Sequence, residues 1–140
     1  MPKTRLLLSL VAVVLVGLLL ATSCFPQNAA SPFYDAGAEN FSVSAEQMVQ
    51  YSFYRFETSG ASRVFTLPSA ADIISRINSP TVGTVFIMAV VADGANSVTI
   101  AGGPGMVIKP SAAEAAGNSK LDLYFVVTNI ASGTQSITVY

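Results

Sequence analysis

Two hydrophobic patterns divide the chain. From Leu6 to Phe25 no residue is charged, and Leu, Val and Ala dominate without a period. After residue 47 apolar residues come in short runs, separated by Gly, Ser, Asn, Asp and Pro, and several runs alternate apolar with polar. A period of two over four to eight residues is the mark of a strand with one buried face. Met48–Thr58, "MVQYSFYRFET", places Val49, Tyr51, Phe53 and Arg55 on one face and Met48, Gln50, Ser52, Tyr54 and Phe56 on the other. Aromatic residues on both faces predict a strand covered on both sides, so Tyr51, Phe53, Tyr54 and Phe56 are candidate interface residues if they are not core. "RVFTL" (63–67), "SVTIA" (97–101), "MVIK" (106–109), "KLDLYFVVTN" (120–129) and "QSITVY" (135–140) are further strands. The run Val85–Val91 is apolar at every position and predicts a central strand buried on both faces. The closing "QSITVY" puts Ile137 and Val139 on one side and predicts an ordered terminal strand.

One segment has helical spacing. In "PSAADIISRIN" Ser69 is a good N-cap, Asp72 follows three residues later, and Ile73, Ile74 and Ile77 share a face. Asn78-Ser79-Pro80 ends it. About seven strands with turn signals every eight to twelve residues predict an all-β fold. The expected form is an antiparallel β-sandwich or jelly-roll-like barrel with one short helix, preceded by an N-terminal apolar helix.

Lys3 and Arg5 precede the apolar run, as a positive n-region precedes the h-region of an export signal. The run is also just long enough to span a bilayer. Either way the basic end stays in the cytoplasm and the rest lies beyond the membrane. Three fates are open: cleavage near Ala21 or Ser23, retention as an anchor, or lipidation at Cys24, the lone cysteine, which follows the small residues Ala21-Thr22-Ser23. The last resembles a bacterial lipobox, with Ala21 where Leu is usual. Residues 1–25 are thus a signal peptide or membrane anchor. Residues 26–46, with two prolines early on and no apolar period, read as a tether, and residues 47–140 as the β-sandwich domain. Asn40-Phe41-Ser42 is a sequon, which makes Asn40 a candidate glycosylation site in a eukaryotic secretory route.

Composition narrows the chemistry. Charged residues are 11% of the chain, against about 25% in ordinary soluble domains. Sparse charge suits an assembly whose surfaces are covered by neighbours better than a free monomer. Without Lys3 and Arg5, five basic residues face eight acidic ones, a balance of −3. Arg55, Arg63, Arg76, Lys109 and Lys120 are far apart in sequence, which excludes the clustered cations that nucleic acid requires. The chain has no histidine, the commonest general base and a principal zinc ligand. Calcium at Asp93 and Asn96 would fit no EF-hand spacing. "AGGPG" (101–105) lacks the Lys-Ser/Thr of a phosphate loop and reads as a turn. No catalytic residue, cofactor or metal is expected.

From Phe65 to Tyr140 the chain carries "TLPSA" at a helix start, "GANSVTIAGG" and the closing "TNIASGTQSITVY". In these landmarks residues 65–140 resemble the β-rich terminal module of virion-surface and fibre-like proteins of large double-stranded DNA viruses and tailed phages. The resemblance implies a structural, non-enzymatic, oligomeric part of a virion or surface assembly, packing on itself or on a capsid lattice. Phage fibres normally lack an apolar leader. A leader suits a membrane-anchored virion protein, and equally a bacterial surface lipoprotein or adhesin with a ligand-binding β-domain.

Overall fold

The computed structural model describes residues 33–140. Its strands are β1 (Phe33–Gly37), β2 (Phe41–Ser42), β3 (Phe53–Glu57), β4 (Arg63–Thr66), β5 (Val85–Asp93), β6 (Val98–Ala101), β7 (Met106–Ile108), β8 (Glu114–Ala115), β9 (Ser119–Asn129) and β10 (Ser136–Val139). Two short helices, α1 (Ala45–Gln50) and α2 (Ala70–Arg76), and a 3-10 turn at Pro110–Ala112 complete the described part.

The strands form a six-stranded sheet, ordered β1-β3-β5-β9-β10-β7, and a four-stranded sheet, ordered β2-β4-β6-β8. From β1 to β9 each strand lies in the opposite sheet from its predecessor. Strands two apart in sequence therefore become neighbours, and they run parallel: β1 with β3, β3 with β5, β2 with β4, β4 with β6. Antiparallel pairing is confined to β5 with β9, β9 with β10 and β6 with β8. The expected all-β class holds in its β-rich core, but both sheets are mixed rather than antiparallel, and neither closes into a barrel. The physical reason lies in the turns. From β1 to β9 each turn carries the chain across to the other sheet instead of folding it back as a hairpin, which only the turn from β9 to β10 does, and a parallel return needs that longer crossover.

Two local expectations are corrected. Residues 48–50 are not strand but the end of α1. Ser44 and Gln47 form a capping box, with Ser44 Oγ accepting from Gln47 N at 3.1 Å and Gln47 Oε1 accepting from Ser44 N at 2.9 Å. The strand starts at Phe53, after Tyr51 closes the helix. Residues 33–46, expected as tether, are built into the fold: β1 pairs with β3 and β2 with β4. Tyr34 and Phe41 hold them there, with ring centroids 4.8 Å apart and Tyr34 5.6 Å from Tyr54. The folded unit therefore includes Phe33, not only residues from 47 onward. The apolar segment 1–25 and residues 26–32 lie outside the described residues.

Other expectations hold. Ser69 Oγ accepts from Asp72 N at 3.1 Å and starts α2, which lays Ile73 and Ile74 into the core. The terminal strand β10 sits between β9 and β7 with Ile137 and Val139 fully buried. Between the sheets, Tyr54 and Phe56 of β3 meet Phe65 of β4 at 5.0 and 5.3 Å. Met88, Val90, Leu123, Phe125 and Val127 extend this core from the larger sheet, Val98 and Ile100 from the smaller. Strand β5 is central in hydrogen bonding, between β3 and β9. Only one of its faces is buried, however: Met88, Val90 and Ala92 point inward, while Val85 and Ile87 are exposed. The expectation of burial on both faces is corrected, because the smaller sheet covers one side and no described element covers the other.

Candidate interaction surface

The register of the larger sheet fixes what stands on its outer face. Phe33 pairs with Phe53, and Phe53 with Ala89. Ile87 pairs with Tyr124, whose backbone exchanges two 3.0 Å hydrogen bonds with Tyr140. Val85 pairs with Val126, Val126 with Thr138, and Thr138 with Val107. Side chains on alternate residues share a face, so these staggered rows form a largely apolar field, the Phe33–Phe53–Ala89 row ending at Asp122 of β9. Phe33, Val85, Ile87, Val107, Tyr124 and Tyr140 each expose between 42 and 54% of their surface. Phe33 and Phe53 stack at 5.5 Å, and with Ser52, Ile87 and Ala89 they line a shallow depression. A contiguous exposed apolar surface of this kind is uncommon on a monomeric soluble protein.

The same face ends in charge. Asp35 of β1, Arg55 and Glu57 of β3, and Asp93 of β5 meet beyond the Phe33–Phe53 row. Arg55 Nη1 lies 3.1 Å from Asp35 Oδ2, and Arg55 Nε donates to Asp93 Oδ2 at 2.8 Å, with a second, shorter contact from Nη2 to the same oxygen. Glu57 stands 4.0 Å from Arg55. One cation among three carboxylates leaves the cluster at −2. The hydrogen bond to Asp93, then that carboxylate's charge, push the Arg55 pKa further up. Hydrogen bonds from Ser59 hold Glu57 below the ordinary glutamate value. Nearby, Lys120 pairs with Asp122 at 3.0 Å. All these side chains are partly exposed to solvent, so the cluster is a charged border of the apolar face. Sequence reading missed it because Asp35, Arg55 and Asp93 are brought together only by the parallel register.

The four aromatic candidates separate. Tyr54 and Phe56 are fully buried, which removes them from any interface. Tyr51 is half-buried against Tyr34, at 5.2 Å, and so belongs to the core margin. Phe53 alone stands on the outer face. Burial drives the Tyr54 hydroxyl pKa up, with Tyr34 and Tyr51 adding to the effect, and its oxygen has no partner among the described residues. Asn40 is exposed, and its Oδ1 accepts from Val64 N at 2.8 Å. Cys24 lies outside the described residues. Asp93 and Asn96 do not share a cation site: Asp93 turns to Arg55, and Asn96 Nδ2 donates to Thr58 O at 2.7 Å. "AGGPG" is the turn from β6 to β7, with Ala70 N donating to Pro104 O at 2.8 Å. Among the described residues no cluster of metal-ligating side chains occurs, and no helix is long and apolar enough to cross a membrane. No protein-family model, curated protein or solved structure matches the chain.

Proposed function

We propose that this chain is a non-enzymatic structural protein of a surface assembly, exported or membrane-anchored through residues 1–25, whose β-domain packs against neighbouring proteins of a virion or cell surface. The observation that carries the reading is the exposed apolar field on the larger sheet. A solitary soluble domain gains nothing from leaving Phe33, Ile87, Val85 and Tyr124 in water, whereas a lattice component buries them on assembly. The low charge content and the landmarks shared with virion-surface modules over residues 65–140 support it further. The dispersed cations give no surface suited to nucleic acid.

The test is fractionation of the full chain from the cells or particles that make it. The proposal expects it in a membrane or particle fraction, in species far heavier than one chain, with the β-domain open to protease added from outside. A monomer in the cytosolic fraction would overturn it. The small residues before Cys24 favour one second reading, a surface lipoprotein or adhesin. Mass spectrometry of the mature N-terminus separates the two: a diacylated Cys24 belongs to the lipoprotein, and an end at Met1 or Pro2 to the anchored virion protein.

A further inference from the structure

We infer that the domain stands upright on the bilayer that holds residues 6–25, with one end, formed by loop 78–84 and turn 130–135, seated in the lipid headgroups. The inference rests on the membrane-anchored form of the reading above and adds which side of the domain meets the membrane. Tether length, charge and exposed aliphatic tips select this end.

The uncharged run ends at Phe25 and β1 begins at Phe33, so only residues 26–32 separate the two. Fully extended, they reach at most ~25 Å. Strand β1 runs parallel to β3 and β5, and Phe33 stands in register with Phe53 and Ala89, four residues along β5 from its start at Val85. The chain therefore enters β1 from the Val85 side, and ~13 Å of reach is needed to come level with Val85. The remainder, ~12 Å at full stretch, is about the width of one helix. Headgroups alone take up ~5–8 Å of it. A folded partner does not fit between this end and the bilayer.

Charge divides the larger sheet along its strands. Asp35, Arg55 and Lys120 stand level with Val91, and Glu57 with Asp93, at the end far from Val85. The −2 cluster there resists losing water and is repelled by anionic headgroups. At the Val85 end, residues 77–86, 102–108 and 128–137 carry no charge. The charged residues of the two helices, Glu46, Asp72 and Arg76, line a groove between α1 and α2.

Loop 78–84 and the β9–β10 turn are neighbours at this end, since Gly83 N donates to Val127 O at 2.8 Å and Val127 N to Thr84 O at 2.9 Å. Val82 on the loop is 62% exposed and Ile130 on the turn 42%. Around them stand Asn, Ser, Thr and Gly. Such a surface suits the headgroup layer, where aliphatic tips reach the acyl boundary and uncharged polar groups stay hydrated. Each tip contributes little, but a short tether holds the local concentration on the order of millimolar, so a weak contact suffices. The outer face of the larger sheet then stands perpendicular to the membrane, where neighbours anchored in the same bilayer reach it.

Photo-crosslinkers at Val82, Ile130 and Ala61 (each →p-benzoylphenylalanine), in the full chain carried in the membranes of expressing cells, test this. Ala61 is exposed in the turn from β3 to β4, beyond the charged end. Strand β5 alone separates the two ends by ~27 Å, so lipid adducts at Val82 and Ile130, read by mass spectrometry of the photolysed chain, should exceed those at Ala61 by about ten-fold or more. All three side chains are exposed, so the thermal melt should stay that of the parent; Val49, exposed on α1, is a further position near this end should one substitution unfold the chain. Equal yields at the two ends, a higher yield at Ala61, no lipid adduct, or adducts to protein in place of lipid at Val82 and Ile130 overturn the orientation and leave the assembly reading standing. A cytosolic monomer in the fractionation above ends that reading, and this inference with it.

Discussion

Strand β5 offers a direct test of one-sided burial, because adjacent residues of similar size occupy opposite faces. Met88 is 1% exposed and Ile87 54%. Met88 sits opposite Leu123, also fully buried, in the space between the two sheets. Truncating it to Ala removes buried apolar surface and leaves a cavity in a packed interior, which costs ~2–5 kcal/mol. Truncating Ile87 to Ala removes atoms already in water and some β-propensity, below ~1 kcal/mol. A domain of this size holds only ~5–15 kcal/mol in total. At ~4–8 °C per kcal/mol, Met88→Ala should lower Tm by ~8 °C or more and Ile87→Ala by less than ~8 °C. Thermal melts and urea titrations at low micromolar protein read both values. Equal losses at that concentration would refute the assignment of an inner and an outer face.

Three further outcomes are expected. Tyr54→Phe deletes a buried hydroxyl that has no partner among the described residues, so the variant should be as stable as the parent or up to ~1 kcal/mol more stable in the same titration; a clear loss would mean that the hydroxyl is bonded. Gly103→Ala would set a Cβ 2.7 Å from the Pro68 carbonyl and 2.8 Å from Leu67 O, backbone that cannot step aside, and should cost ~1–3 kcal/mol, whereas Gly60→Ala, whose Cβ meets only Arg63 at 4.0 Å, should be near neutral. Glu57 has its folded pKa depressed by Ser59, so whatever it adds to the turn is present above the ordinary value of 4.5 and is lost as pH falls through its lower folded value; carboxyl NMR shifts should show a midpoint below 4.5, and a midpoint at or above it would contradict the Ser59 contact.

How much of this fold was legible can be followed element by element. Helix α2 was readable because its signal is local: Ser69 caps, Asp72 answers three residues on, and Ile73 and Ile74 share a face. Helix α1 carried an equally local signal in Ser44-x-x-Gln47, but six residues hold too little apolar period to compete with the aromatic run that follows. The final β9–β10 hairpin was legible because its turn is short and its pairing antiparallel. The parallel pairs were not. Whether Ser59-Gly60-Ala61-Ser62 folds β4 back on β3 or sends it into the other sheet depends on where Phe65 finds buried partners, and those, Phe41 and Ile100, lie 24 residues before it and 35 after it. The strands at Phe33 and Phe41 were hidden for the same reason, since each is too short to show a period and is held by parallel neighbours distant in sequence.

The exposed apolar face was hidden by a different ambiguity. A run such as Val85–Val91 is apolar at odd and even positions alike, and period analysis cannot tell a strand sandwiched between two layers from one with a covered face and a sticky one. The neighbours in register separate the cases. Opposite the outward Ala89 and Val91 stand Asp122 and Lys120 of β9, and beside Val91 stands Arg55 of β3. Charged side chains in those places favour water over an apolar layer, and among the described residues nothing covers that end of the face. The apolar end adjoins it on the same strands and shares its solvent exposure. Six large apolar side chains left in water break the pattern rule that the inner face obeys at every position from Met88 to Ala92, and exceptions of this kind collect where a protein meets something else. The charged rows begin close to where the apolar rows stop, so the sheet itself bounds the exposed apolar area.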